Sequence, residues 1–257
     1  IFLYKKDGQI VGLIPIFIET FLLGPAQLKI AKIVGSDYTM TMLNLPIEKN
    51  YAIDIFNSLF HTLLTNEKCN SILLSPIGGD FPALRKLEET VQNSSEVCLI
   101  KDHIRSPYMA LTVPKSFDEY LLTLKKKDRH NLCRQVNNVK KVFTLKVEII
   151  RDEKDARSAF AEFVRMHTEQ WNAKGKLGHF KDWPYGEEFN TEVVLEQAKK
   201  GRLFLVRLFA DEKIVSYELS FGFGKWWYWR LCARTCDKEL DILAFRKIGL
   251  TEMLNTV

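Results

Sequence analysis

Apolar and polar positions alternate from the start of the chain, in the segment FLYKKDGQIVGLIPIF that runs from Phe2 to Phe17. Alternation with a period of two indicates a β-strand, and an Asp-Gly pair between two such runs is a strong hairpin signal. The segment therefore predicts two paired strands that turn at Asp7 and Gly8. The next elements predicted are a strand in YTMTMLNL, a helix near 51–64, a strand in SILLS, a helix around 81–89, and strands in EVCLI and YMALTV.

A different pattern begins at Ser116, which forms a capping box with Glu119 ahead of a long amphipathic stretch. Apolar residues then recur at three- and four-residue steps, so the lysines and arginines of KKKDRHNLCRQVNNVKK lie on the opposite helix face. The elements predicted beyond it are a strand in LKVEII, a helix that ends near Gly175, a helix at about 187–200, three antiparallel strands in RLFLVRLFA, KIVSYELSFGFG and KWWYWRLCA, and a helix from about Asp241.

A faint repeat relates the two ends of the chain. Four residues around the first hairpin align with four residues of a similar hairpin at one offset of 204 residues: Asp7, Ile10, Val11 and Phe17 with Asp211, Ile214, Val215 and Phe221. With a boundary near 105–116, we predict a mixed α+β chain. Its two halves, residues 1–110 and 111–257, are each expected to be a mostly antiparallel sheet flanked by helices.

Composition fits a globular chain of 257 residues, of which 46% are apolar and 27% charged. The longest apolar stretch, from Ile10 to Gly24, is too short and too interrupted to span a bilayer. Five widely spaced cysteines suggest reduced thiols and a cytoplasmic location. The net charge of +5 comes largely from the basic run and indicates a local anionic contact, or else a solvated helix face. Because the chain opens on a strand without Met, we expect a fragment.

Several chemistries are disfavoured by missing motifs. The sequence has no GxSxG elbow, Walker loop or Rossmann glycine pattern, which argues against hydrolases, nucleotidases and dehydrogenases. His130 and His167 have no second histidine or cysteine at a ligand spacing, so no metal site is expected. We expect no DNA partner.

Four segments together resemble the GNAT-superfamily acetyltransferases associated with cellulose and exopolysaccharide synthesis. That family looks like two tandem GNAT-like halves, and it is related to the Fem-type peptidyltransferases that use aminoacyl-tRNA. The resemblance implies a first half that lacks its opening elements and a second, acyltransferase half whose end lies beyond Val257. The segments are KKKDRHNLCRQVNNVKK, MHTEQWNAKGKLGHF, GRLFLVRLFADEKIVSYELSFGFGKWWYW and, in the first half, GSDYTMTMLNLP with Asp37 and Tyr38.

The resemblance implies acetyl-CoA or another acyl-CoA as co-substrate, bound beside the strand KWWYWRLCA that contains Trp229 and Leu231. The pyrophosphate would lie at the start of the following helix, with Arg246 and Lys247 as cationic contacts. Here ELDILAFRKIG stands where the family usually has a Ser/Pro/Gly turn.

Acyl transfer needs a route for the acceptor's proton and donors for the developing oxyanion. Glu218 is our candidate general base, because it is a carboxylate within the apolar strand YELSF, where burial would raise its pKa. Tyr228 and Asp241 are further catalytic candidates, and Tyr217 is a possible acid. A polar residue that alternates on a wet sheet face is the alternative explanation for Glu218.

The acceptor is expected to be a sugar, a polysaccharide precursor or a similar small molecule. Alternate positions of a strand share a face, so Tyr228 and Arg230 are expected to lie on the same face. The alternative is that the adjacent aromatic residues of KWWYWRLCA serve only core packing. Two other functions stay open: Fem-like transfer from aminoacyl-tRNA bound by the basic helix, and a non-catalytic binding module. The candidate substrate-binding residues are Asp37, Tyr38, Arg129, Trp171 and Arg230.

Overall fold

A computed structural model describes residues 1–36, 44–94, 112, 114, 116–237, 248 and 251 of the chain. The chain divides into two compact units, Ile1–Met109 and Ala110–Val257. Both units combine sheets with helices, so the mixed α+β class predicted from the sequence is confirmed.

The N-terminal unit begins with the predicted hairpin. Asp7 and Gly8 have φ of 49° and 79°, the left-handed conformation that a two-residue hairpin turn requires. A second antiparallel pair follows, and its last strand also pairs in parallel with a short fifth strand. The strands are β1 (Phe2–Lys6), β2 (Gln9–Ile14), β3 (Ile16–Leu23), β4 (Ala26–Ile33) and β5 (Ser71–Leu73).

The hairpin of β3 and β4 was missed by the sequence prediction. Its first strand is the end of the apolar run from Ile10 to Gly24, which has no period that would mark a strand boundary. Pro15 separates β2 from β3 because it has no N–H to donate. The predicted strand YTMTMLNL lies mostly outside the described residues, as do EVCLI and YMALTV.

Two helices cover this unit's core. α1 (Ala52–His61) continues into a π-helical turn, Thr62–Asn66, and α2 is Leu84–Gln92, so both predicted helices are confirmed. The apolar face of α1 packs against buried residues from β2 and β4. Burying side chains of this size contributes about 1.5–3 kcal/mol each. The largest fully buried side chains here are Ile14, Ile33, Ile55, Phe56 and Leu59.

The C-terminal unit starts with the predicted capping box, in which the Ser116 hydroxyl accepts a hydrogen bond from the Glu119 N–H at 3.2 Å. The long amphipathic stretch predicted after it forms two helices, because Leu124 adopts an extended conformation between them. The unit's helices are α3 (Phe117–Thr123), α4 (Lys126–Lys140), α5 (Glu153–Asn172) and α6 (Gly186–Lys199).

Four antiparallel strands form the sheet of this unit, in the order β6-β7-β8-β9. One face packs on α5 and α6 around residues such as Phe160 and Phe163, and the other packs on α4 around Val139. The predicted three-stranded meander is confirmed as β7, β8 and β9. The strands are β6 (Leu145–Ile150), β7 (Leu203–Ala210), β8 (Lys213–Phe223) and β9 (Trp226–Arg234).

The repeat between the two ends is local. Asp7 and Asp211 both turn their hairpins at positive φ, 49° and 54°. Phe17, however, lies in β3 beyond Pro15, whereas Phe221 lies within the long strand β8. The shared pattern therefore covers the turn and the start of the strand that follows it.

Candidate functional site

A cleft of about 330 Å³ opens beside β9 in the C-terminal unit. Among the described strands of this sheet, β9 pairs with β8 and is the last in the order. The Gln170 side chain accepts a hydrogen bond from the Arg234 N–H at 2.9 Å, which ties α5 to the end of β9. The cleft is lined by His167, Gln170, Trp171, Lys174, His179, Glu218 and the β9 residues from Trp229 to Arg234.

Glu218 lies in the middle of β8, where it pairs with Val206 on β7 and Cys232 on β9. Its neighbour Leu219 belongs to the core against α5, so the Glu218 side chain points to the opposite face of the sheet. The residue is only 1% exposed, and its carboxylate accepts a hydrogen bond from the Trp229 indole N–H at 2.7 Å. The cleft thus contains a buried carboxylate held in a fixed orientation, which suits a proton acceptor.

His167 and Trp171 form a second polar pair, one turn apart on α5. The Trp171 indole N–H donates to His167 Nε2 at 2.9 Å. Because Nε2 accepts, the proton of the neutral ring is assigned to Nδ1. Burial, with a smaller contribution from nearby His179, lowers the pKa of His167 to about 4. The sequence prediction placed His167 only on an apolar helix face, although a His and a Trp four residues apart was a usable signal.

Trp171 is held tightly in the wall of the cleft. Gly178 has φ of 82°, a conformation that favours glycine, and a Cβ at this position would lie only 3.1 Å from the Trp171 Cβ, so the backbone passes close to this side chain. The amino groups of Lys174 and Lys176 each lie 5.4 Å from a Trp171 ring centroid, within the range of cation–π attraction. This end of the cleft is therefore both aromatic and positively charged.

Arg230 lies at an irregularity of β9. The register passes from Ser220 opposite Trp229 to Leu219 opposite Leu231, which leaves Arg230 without a cross-strand partner. Such a bulge changes the direction of a side chain, so the simple alternation expected to place Tyr228 and Arg230 on one face does not apply here. Arg230 is half-buried in the cleft, and burial lowers the pKa of its guanidinium.

The structure brings together five of the predicted site residues and separates two others from them. Tyr228 is 55% exposed and does not line the cleft, and neither does Arg129 on α4. The phenol of Tyr217 lies toward α5, where it donates to Glu162 at 2.6 Å, and burial together with that bond raises its pKa. The residues in the cleft are Trp171, Glu218, Trp229, Arg230 and Leu231, and those outside the described residues are Asp37, Tyr38, Asp241, Arg246 and Lys247.

A second cavity of about 330 Å³ lies between the start of α5 and strand β6. Arg207 is its cation, and the guanidinium binds Glu148 at 2.7 Å and Glu162 at 3.4 Å. Asp152 caps α5 by accepting a hydrogen bond from the Asp155 N–H. Arg207, Glu148 and Asp152 in this cavity thus have structural partners already.

Within the described part of the chain, no group of three or more His, Cys, Asp and Glu side chains is arranged to hold a metal ion. None of the described helices combines the length and apolar character that a bilayer span requires.

Residues 126–255 match the family described as acetyltransferase (GNAT) domain. No curated protein sequence matches the chain significantly. The fold is similar to that of the protein in "Crystal structure of FemX", with a TM-score of 0.55 and 13% identity over 98% of this chain and 74% of the other. A conserved protein of unknown function from Bacteroides thetaiotaomicron is similar with a TM-score of 0.50 and 13% identity over 96% and 72% of the two chains. The fold is therefore GNAT-like, in agreement with the predicted tandem arrangement.

Proposed function

The chain belongs to the acetyltransferase (GNAT) domain family, and we propose that it transfers an acetyl or other acyl group from an acyl-CoA to an amine or hydroxyl of a small acceptor. One observation carries this proposal: a buried, oriented carboxylate, Glu218, lies in a cleft beside strand β9. The cleft lies within the part of the chain that matches the family.

The donor is proposed to lie along β9. A strand edge offers N–H and C=O groups to an extended ligand, and amide groups of a pantetheine arm can pair with them as a further strand would. Trp229 and Leu231 belong to this strand and line the cleft. Arg246 and Lys247, outside the described residues, stay candidates for contacts with the pyrophosphate.

An acyl-CoA supplies an acyl group activated as a thioester. In the proposed reaction the acceptor's nitrogen or oxygen forms a bond to the acyl carbon, the carbon–sulfur bond breaks, and the CoA thiol leaves. Glu218 receives the proton of the attacking group, and backbone N–H groups stabilise negative charge on the acyl oxygen. The Trp229 indole positions the carboxylate for this step. Tyr228 and Asp241 stay predicted catalytic candidates, although Tyr228 lies outside the cleft.

A saccharide or polysaccharide precursor is the proposed acceptor class, in keeping with the resemblance to acetyltransferases of cellulose and exopolysaccharide synthesis. Trp171 would offer its ring to sugar C–H surfaces in the cleft. We place the reaction in the cytoplasm, where acyl-CoA is available.

Fem-like transfer from aminoacyl-tRNA is the second candidate. The fold similarity to FemX and the exposed basic residues of α4, among them Lys126, Lys127 and Lys140, favour it. Phosphate contacts of this kind would make binding fall steeply with salt concentration.

The proposal is tested by thermal unfolding of the protein with acetyl-CoA, free CoA or an unrelated nucleotide. A ligand at about a hundred times its Kd stabilises the native state by about 2.7 kcal/mol. We expect CoA compounds alone to raise Tm. If they do not at saturation, the acyl-CoA proposal fails and aminoacyl-tRNA becomes the leading donor. Binding without turnover over a panel of amines and alcohols would indicate a non-catalytic module.

Glu218→Gln tests the carboxylate itself. The amide keeps an acceptor for the Trp229 N–H but cannot take a proton, so we expect the transfer rate to fall by roughly 10²–10⁴ while acetyl-CoA affinity is unchanged. Glu212→Gln, in the exposed turn between β7 and β8, is the matched control and should retain the wild-type rate. A Glu218→Gln protein with wild-type activity would remove this residue from the mechanism.

A further inference from the structure

Arg207 and Arg230 are both half-buried in the same sheet, but their surroundings differ. Arg207 on β7 binds two carboxylates, Glu148 and Glu162. Arg230 on β9 forms no ion pair or hydrogen bond with any side chain in the described part of the chain, and burial lowers the pKa of its guanidinium. Removing a cation from water without a counter-charge is unfavourable, so such an arrangement is usual where a ligand supplies the missing anion.

The charges that line the cleft around Arg230 also favour an anionic ligand. Lys174 and Arg230 line it as cations, with Glu218 as the carboxylate among its described lining residues. Arg230 is also the bulged residue of β9, whose side chain is directed independently of the strand's alternation. A guanidinium presents a planar set of N–H donors that suits two oxygens of a phosphate or carboxylate.

We propose that the acceptor carries an anionic group, a phosphate or a carboxylate, and that Arg230 binds it. This inference rests on the proposed function, because Glu218 lines the same cleft and must reach the acceptor's nucleophile. The donor's phosphates do not fit the same role, since the long pantetheine arm separates them from the reacting thioester. A volume of about 330 Å³ lies at the small end of ligand sites and suits a compact acceptor.

Matched amines test the inference without requiring turnover. Glucosamine 6-phosphate is compared with glucosamine, and alanine with alaninamide, by their effect on Tm and by titration calorimetry of the full chain. We expect the member of one pair that carries the phosphate or carboxylate to bind, and the member that lacks this group to bind at least about tenfold more weakly, as the loss of a charge-assisted hydrogen bond implies. The first pair tests whether the site binds a phosphate group, and the second tests whether it binds a carboxylate group.

Arg230→Gln should abolish this preference for the member with the phosphate or carboxylate, and Arg230→Lys should keep part of it because the charge remains. Arg202→Gln is the control, since Arg202 is a half-buried arginine of the same unit that stacks on Phe223 outside the cleft. Equal binding of both members of each pair, no binding of any of the four, or a preference unchanged in Arg230→Gln would overturn the inference. Acetyl-CoA binding is measured in parallel, so that loss of the donor site and loss of the anion site are told apart.

Discussion

The buried histidine of the cleft predicts a specific loss of stability in mild acid. His167 is 1% exposed, and its pKa lies at about 4 in the folded protein against 6.5 in an unfolded chain. Between these values the unfolded chain takes up a proton that the folded protein does not, so stability falls as pH decreases from about 6.5 to about 4 and is not reduced further by this group below that. At about 1.4 kcal/mol per pKa unit the loss approaches roughly 3 kcal/mol.

Urea unfolding followed by circular dichroism between pH 7.5 and 4 measures the effect. His167→Gln should have a smaller decrease in the free energy of unfolding over this range than the wild type, by up to about 3 kcal/mol. His130→Gln, on the exposed side of α4, controls for the removal of an imidazole and should follow the wild-type curve. Parallel curves for wild type and His167→Gln would refute the burial of a neutral histidine at this position.

Two further substitutions test the packing of the cleft wall. Gly178→Ala should destabilise the protein by about 2 kcal/mol, because its φ is positive and the added Cβ meets the Trp171 side chain. Gly175→Ala, also at positive φ but in open space, should destabilise it by about 1 kcal/mol. Thermal unfolding compares the two variants, and equal losses of stability would contradict the contact between Gly178 and Trp171. Trp229→Phe removes the indole N–H that the buried Glu218 carboxylate accepts, and it should lower the free energy of unfolding in urea by about 1–3 kcal/mol. Trp226→Phe, at the exposed end of the hairpin, should change this free energy little. The reverse ranking of the two variants would be inconsistent with the hydrogen bond.

Most elements of the fold could be predicted from the spacing of apolar residues in the sequence. α5 was predicted with its apolar face because Phe160, Phe163 and Val164 recur at helical spacing. The meander of β7, β8 and β9 was predicted from alternating runs between turn residues. By contrast, β3 was not separated from β2, because a continuous apolar run has no period to show where one strand stops.

The candidate site was predictable as a set of residue types rather than as an arrangement. Glu218 was identified because a carboxylate within an apolar strand is unusual, and Trp171 because an aromatic ring can stack on a sugar acceptor. The place of Arg230 depends on a bulge, which no alternation pattern reveals. The pairing of His167 with Trp171 became recognisable only once the face of α5 was known to border the cleft.

The central claim, that an acyl-CoA lies along β9, is tested most directly by hydrogen–deuterium exchange with and without acetyl-CoA. Peptides that cover Trp226–Arg234 should exchange more slowly when acetyl-CoA is bound, while those that cover Leu145–Ile150, at the opposite edge of the same sheet, should be unchanged. Unaltered exchange along β9 at saturating acetyl-CoA, or protection confined to β6, would contradict the account.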